Sequence, residues 1–415
     1  MKAPFGRRWC WLWWGGCLAG MVWLGRPDGG WTLWPPSGCT SGWGLALEVA
    51  VEKDEPKSEP SEGRKPEKPV LKKDHKNLLI YWDAQGREHP VRTPEDWQRR
   101  RADILQGFQE ATGPLPEKFR QTPLDVQMLK TEETPQYRRI KLTYQPEPGD
   151  RVPAWLLIPK NLGGRTAAML CLHQTIPIGK DEPVGLGGSP SLHYAHELAQ
   201  LGFVCLAPDY PSFGEYPYNF HTQGAHYASG TMKAIWNNIR AVDLLEARPE
   251  VDPKRIGCIG HSLGGHNAIY TAVFEPRLKV IVSSCGFTPF HDYYGGRLDG
   301  YVQDRYMPLI GSRFGKDPDR VPFDYYELIG ALAPRPFLTN SPLHDDNFDV
   351  GGVKKVMAEA SKIYQLYRAT EHLIAYHPDC GHDFPEPVRK EIYRFVCRYF
   401  GLPAPDASAQ PPAKP

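Results

Sequence analysis

The sequence predicts an α/β domain over residues 137–402, a mainly parallel sheet with helices on both faces. Three observations carry this. Short apolar runs of strand length alternate with longer segments whose apolar residues recur at helical spacing. Strand–helix–strand order calls for crossover connections, and so for parallel pairing with both sheet faces covered. Near the middle, an apolar run stops at a serine set between glycines and turns helical at once, in Arg255-Ile256-Gly257-Cys258-Ile259-Gly260-His261-Ser262-Leu263-Gly264-Gly265-His266.

Taken in order, Ile140, Leu142 and Tyr144 alternate, as do the residues of 153–158 after a turn at 146–150, which together read as a β-hairpin. Residues 167–172 are a strand, 192–201 a helix, 203–207 a strand and 231–247 a long helix with Ile235, Ile239, Val242 and Leu245 on one face. The elbow strand follows at 256–260, and Ala268, Ile269, Ala272 and Val273 mark its helix. Strands at 278–283, 337–339 and 372–376 then alternate with helices at 353–367 and around Val388, Ile392, Phe395, Val396 and Tyr399. An insertion at 287–333 follows the strand ending near Ser283. Right-handed crossovers bring the strand C-termini to one edge, where the loops carry chemistry.

Outside this domain the chain changes character. Residues 1–30, with Lys2, Arg7 and Arg8 ahead of a Trp- and Leu-rich run, read as an export signal or an uncleaved N-terminal anchor. Residues 31–76 form a low-complexity linker whose Lys, Glu, Pro and Ser cannot bury enough surface to order themselves, and 403–415 form a similar tail. Between them, 77–136 reads as a helical extension, with Trp97, Ile104, Leu105 and Phe108 at helical spacing and no chemistry expected of it.

Lys and Arg total 49 against 48 Asp and Glu, so no net field favours nucleic acid or acidic membranes. Cys171, Cys205, Cys258 and Cys285 fall in or beside strand-like runs and read as small buried hydrophobes. No metal site is expected: no CxxC or Cys/His zinc spacing occurs, and His193-x-x-His196-Glu197 has the wrong spacing for a zinc helix.

The hinge Gly260-x-Ser262-x-Gly264 has the nucleophile-elbow pattern, in which a sharp strand-to-helix turn lifts a serine hydroxyl above the sheet edge. With the order of elements, it makes the chain resemble the α/β-hydrolase fold, and within it the dienelactone-hydrolase and acetyl-xylan-esterase-like serine esterases. The resemblance covers roughly residues 137–400. It rests on Gly260-His261-Ser262-Leu263-Gly264-Gly265, Cys380-Gly381-His382-Asp383-Phe384-Pro385, the acidic turn Ser341-Pro342-Leu343-His344-Asp345-Asp346-Asn347-Phe348, and His173-Gln174. Dienelactone hydrolases carry cysteine at the elbow. Serine here favours ordinary esters.

A serine hydroxyl needs a base to take its proton. His382 lies in a Gly-containing loop after the last strand, and the fold's order of Ser, acid, His puts it in that role. His377 ends the strand itself, and His266, four residues past the serine, is expected to point away. The acid comes from the loop after 337–339, which offers Asp345, Asp346 and Asp349; the family-like turn favours Asp345, with Asp346 its rival. For the oxyanion, the backbone N–H of Leu263 is one donor and Gln174 or Thr175 the other.

Three stretches, 176–190, 210–227 and the aromatic insertion, are expected to shape a pocket, with the insertion either a cap or plain packing. The expectation is a secreted or periplasmic serine esterase without cofactor, acting on a small-molecule or polysaccharide ester. Two alternatives stand beside it. One is a serine peptidase of the prolyl-oligopeptidase type, although the stretch ahead of Tyr137 is short for the propeller such enzymes usually carry. The other is a non-catalytic binding protein that keeps the fold.

Overall fold

The computed structural model describes residues 74–405 of the chain. The export segment, nearly all of the linker and most of the tail lie outside the described residues. A ribbon of β1 (Ile80–Trp82) and β2 (Glu88–Pro90) leads into helix α1 (Pro94–Thr112). Three antiparallel strands follow: β3 (Gln127–Glu133), β4 (Tyr137–Tyr144) and β5 (Val152–Pro159). Then come β6 (Thr166–Leu172), α2 (Tyr194–Gln200), β7 (Val204–Pro208), α3 (Gly230–Glu246), β8 (Val251–His261) and α4 (Leu263–Phe274). The chain closes with β9 (Leu278–Ser284), α5 (Pro308–Ser312), α6 (Tyr325–Gly330), β10 (Phe337–Asn340), α7 (Val350–Leu366), β11 (Leu373–Tyr376) and α8 (Glu386–Phe400).

One sheet of nine strands in the order β11-β10-β9-β8-β6-β7-β5-β4-β3 runs through the domain. The six strands from β11 to β7 pair parallel, and β5, β4 and β3 add an antiparallel flank. This is the α/β-hydrolase arrangement that the sequence predicts. Period-two alternation sorts the side chains into two cores. On β6, Ala168, Leu170 and Leu172 join the larger core with α1, α3, α4, α6 and α7, while Ala167, Met169 and Cys171 join the core beneath α2 and α8. Both cores bury large side chains fully, Trp236 in one and Phe203 in the other. Each such burial is worth about 1.5–3 kcal/mol.

Local chemistry sets the helix starts. Thr93 and Asp96 form a reciprocal capping box with Pro94 at the first position of α1. Ser229 accepts from the Met232 N–H at 3.0 Å to begin α3, and Asp349 accepts from the Gly352 N–H at 2.7 Å to begin α7. Asp349 is thus a cap.

The stretch 77–136 is more than a helical extension. Helix α1 is there and packs through Trp97, Ile104 and Phe108, but β3 also pairs with β4 and forms the edge of the main sheet. Its sequence, Gln-Met-Leu-Lys-Thr-Glu-Glu, is almost wholly exposed and broken by a bulge between Met128 and Lys130. A charged, bulged edge strand carries no buried alternation to read. The helix expected at 192–201 begins at Tyr194, after a single tight turn at Pro190–Leu192.

Candidate active site

β8 lies between β6 and β9, so its C-terminal end opens at the centre of the functional edge. There the chain reverses into α4 through Ser262, whose φ of 52° and ψ of −116° are a conformation that L residues avoid. The glycines are forced by contact: a Cβ on Gly260 would stand 2.2 Å from the Gly264 carbonyl oxygen, and one on Gly264 would stand 1.9 Å from that of Leu172. The Ser262 N–H donates to the Ser284 carbonyl on β9 at 2.8 Å, which fixes the turn. Its side chain makes no cap bond to its own helix, so the hydroxyl is not spent on α4.

Ser262 and His382 line one cavity of about 380 Å³. Behind His382 the Asp345 carboxylate sets both oxygens 3.0 Å from Nδ1. The Asp345 side chain is 1% exposed, and its Oδ1 also accepts from the Asn347 N–H at 2.8 Å and the Phe348 N–H at 3.1 Å. Burial alone would raise this carboxyl's pKa; the hydrogen bond and charge of His382, with those two N–H donors, outweigh it and hold the pKa below the ordinary value. Asp345 therefore stays anionic beside an imidazole that is aimed at the cavity. Asp346 is exposed. His377 turns its Nδ1 to the Ser341 carbonyl at 2.8 Å and does not line the cavity.

The wall behind the pair is a buried polar layer that sequence reasoning did not anticipate. His261 Nδ1 meets Ser284 Oγ at 2.9 Å, and its ring lies 4.8 Å from that of His382, edge to face. The Asn340 amide donates to Ser284 Oγ at 2.9 Å and to the Asp383 carbonyl at 2.8 Å, tying the ends of β9 and β10 to the loop that carries His382. Among the described residues, the one trio of metal-ligating side chains is His261, Cys285 and His382, with donor atoms within 4.8 Å. Two of these already face Ser284 and Asp345, so the trio is part of this wall. In the His193-x-x-His196-Glu197 segment, His196 instead bonds the Tyr137 hydroxyl at 2.6 Å and Glu197 pairs with Arg389 at 2.8 Å.

Leu263, Gln174 and Thr175 all line the cavity. Leu263 is the first residue of α4, where backbone N–H groups have no intrahelical acceptor and the helix dipole is positive. The loop after β6 is locked by His173: the Tyr210 N–H donates to its Nε2 at 2.9 Å, so Nδ1 carries the proton and donates to the Gln174 carbonyl at 2.6 Å. The Gln174 amide donates to buried Glu182 at 3.0 Å, and the Ser189 N–H does the same.

The pocket differs from expectation in three ways. Of the three stretches, only the insertion lines this cavity, through residues such as Tyr293, Tyr301 and Tyr306; 176–190 and 210–227 support it from behind. The insertion both caps and packs, since Phe290, Tyr325 and Tyr326 are buried in the core. Most notably, His266 lines the cavity and does not point away. One helical turn separates it from Ser262, and residues four apart share a helix face.

Residues 190–402 match the prolyl oligopeptidase family. YtaP of Bacillus subtilis (strain 168), described as a hydrolase, is 27% identical over 297 residues, which is 69% of this chain and 95% of that protein. Carbohydrate esterase MZ0003, from an unknown prokaryotic organism, is 26% identical over 132 residues, covering 30% of this chain and 31% of its own length. Among solved structures, a glucuronoyl esterase from Solibacter usitatus superposes with a TM-score of 0.58 at 17% identity, over 79% of this chain and 98% of that one, and so shares the fold. The strand order, the serine elbow and the matched 190–402 segment agree: the chain is an α/β-hydrolase and belongs to the prolyl oligopeptidase family.

Proposed function

We propose that the chain is a serine hydrolase that cleaves a carboxylic ester through an acyl-enzyme, with Ser262 as nucleophile, His382 as base and Asp345 as its orienting acid. The observation that carries this is the Asp345–His382 pair turned toward the cavity into which the Ser262 elbow opens. In the first half-reaction Ser262 Oγ bonds to the ester carbon and its proton passes to His382 Nε2. The carbonyl oxygen, now negative, is met by the N–H of Leu263 and by a second donor from Gln174, with Thr175 beside it. His382 then returns the proton to the leaving alcohol as the C–O bond breaks. In the second half, water repeats these steps on the acyl group, and the carboxylic acid departs.

Ester chemistry is favoured over peptide chemistry by the lining of the cavity, which includes no Lys, Arg, Asp or Glu. A peptide's charged terminus would find no counter-ion there. Tyrosines together with Asn267, Gln303 and Asn347 suit a neutral, hydroxylated partner, and the stretch shared with a carbohydrate esterase supports an acylated carbohydrate as substrate. Export belongs to the same reading. It rests on the character of residues 1–30, since among the described residues no helix is long and apolar enough to cross a membrane.

The test is turnover of 4-nitrophenyl acetate, acetylated xylan and a peptide anilide by the wild type and Ser262→Ala. Ester hydrolysis that falls to background in the variant, with its fold retained, is the expected result. Anilide cleavage without ester cleavage would overturn the reading. Cell fractionation of the full chain tests export.

A further inference from the structure

Beneath the cavity three tyrosine hydroxyls converge. Tyr325 Oη meets those of Tyr270 and Tyr301, the second at 3.2 Å, and lies 2.7 Å from His266 Nδ1. Tyr270, Tyr301 and Tyr325 are at most 5% exposed, so an unused hydroxyl proton among them is costly. Three contacts meet at Tyr325, and the three hydroxyls supply three protons. Within the cluster every proton finds an acceptor when Tyr270 and Tyr301 donate to Tyr325 and Tyr325 donates to His266 Nδ1. A proton on Nδ1 would be a fourth, and one of the four would have no acceptor within the cluster.

A neutral imidazole carries one N–H, so the proton of His266 sits on Nε2. Burial, and then the positive charge of nearby His382, push the His266 pKa down to about 3, which keeps the ring neutral near pH 7. Nε2 has no hydrogen-bond partner among the described residues, and the ring lines the cavity one helical turn from Ser262. Phe348 meets the ring edge to face at 5.1 Å and helps hold its plane.

We infer that His266 is a specificity-determining residue whose Nε2–H is held by the tyrosine cluster to donate to an uncharged oxygen of the substrate, a sugar hydroxyl or ring oxygen beside the scissile ester. The inference rests on the esterase reading above and deepens it. A neutral donor in a cavity lined by no charged side chain of Lys, Arg, Asp or Glu selects a polyhydroxylated neutral ester over a bare one, because only the former presents an acceptor at this position.

Two measurements test it. In the first, kcat/KM is measured for O-acetylated xylotriose and for 4-nitrophenyl acetate. His266→Phe should lower the preference for the sugar ester about tenfold, the value of one good hydrogen bond, with the change mainly in KM. His266→Gln, which returns a donor at similar reach, should restore most of it. Equal losses on both substrates, or no recovery with Gln, would make the role structural and overturn the inference. The second is nitrogen-15 NMR of histidine-labelled wild type, where His266 should show the Nε2–H tautomer. An Nδ1–H tautomer would overturn the inference even in an active esterase, and it decides the matter should His266→Phe not fold. A wild type that hydrolyses neither ester while showing the Nε2–H tautomer would instead overturn the esterase reading, and the substrate assignment with it.

Discussion

Asp345 holds His382 through both carboxylate oxygens, each 3.0 Å from Nδ1, from a position itself pinned by the N–H groups of Asn347 and Phe348. In the proposed mechanism such a carboxylate does two things: it selects the tautomer that leaves Nε2 free to accept, and it stabilises the imidazolium formed as the serine proton arrives. Asp345→Asn should therefore lower kcat on 4-nitrophenyl acetate by about four orders of magnitude with KM little changed. Asp346→Asn, at an exposed position, should leave kcat within about twofold, because nothing ties that side chain to the imidazole. A reversed pattern would move the acid one residue along the loop.

The elbow stores strain. At a φ of 52° and ψ of −116°, a serine sits where glycine is at ease. Ser262→Gly should abolish ester hydrolysis and yet stabilise the protein by about 1 kcal/mol, measured as a rise in Tm or in the denaturation midpoint. A lower Tm would show that the hydroxyl contributes more to stability than the backbone conformation costs.

Gly264 tests the same turn from the other side. Its missing Cβ leaves room for the Leu172 carbonyl, only 1.9 Å from where that carbon would stand, with the His173 carbonyl 2.9 Å away. Both oxygens are backbone atoms of the strand end that leads into Gln174, so neither can swing aside. Gly264→Ala should cost about 3 kcal/mol or more through overpacking. Any folded fraction should show a depressed kcat, as Leu263 and the Gln174 loop are pushed apart. Wild-type stability in this variant would mean that α4 can slide on β6.

Ser262 and His382, which line one cavity, and Asp345, which bonds His382, are the residues that local sequence rules single out. Glycines two residues either side of a serine, at a strand–helix switch, have few other uses, and chain order then places acid and base. His266 is equally legible, against the expectation that it points away: the i,i+4 spacing puts it on the serine's face of α4. The layer of His261, Ser284 and Asn340 could not be read, because its three members meet only when β8, β9 and β10 stand side by side. The paths of 176–190 and 210–227 were hidden for a similar reason. They are set by distant partners, such as Glu182 beneath Gln174 and the Tyr210 N–H on His173, and not by their own turn residues. β3 escaped because an exposed edge strand buries no face to leave a pattern.

The His261 ring gives the wall a pH signature. The residue is 1% exposed, its Nδ1 faces Ser284, and its Nε2 has no hydrogen-bond partner among the described residues. Burial first, and the charge of His382 next, push its pKa down to about 3, against a weaker opposite pull from Asp345. Unfolding releases the ring to its ordinary value of 6.5. Between those two values the unfolded chain binds a proton that the folded chain refuses. Stability from this residue is therefore complete above pH 6.5 and is lost progressively as pH falls toward 3, with a slope of up to about 1.4 kcal/mol per pH unit. His261→Asn keeps a polar atom near Ser284 but cannot take up a proton in this range. Its Tm should fall less than that of the wild type between pH 7 and pH 4.5, even if it starts lower. Parallel curves for the two proteins would show that His261 takes up its proton as readily in the fold as in the unfolded chain, so that the wall behind His382 becomes charged as the pH falls.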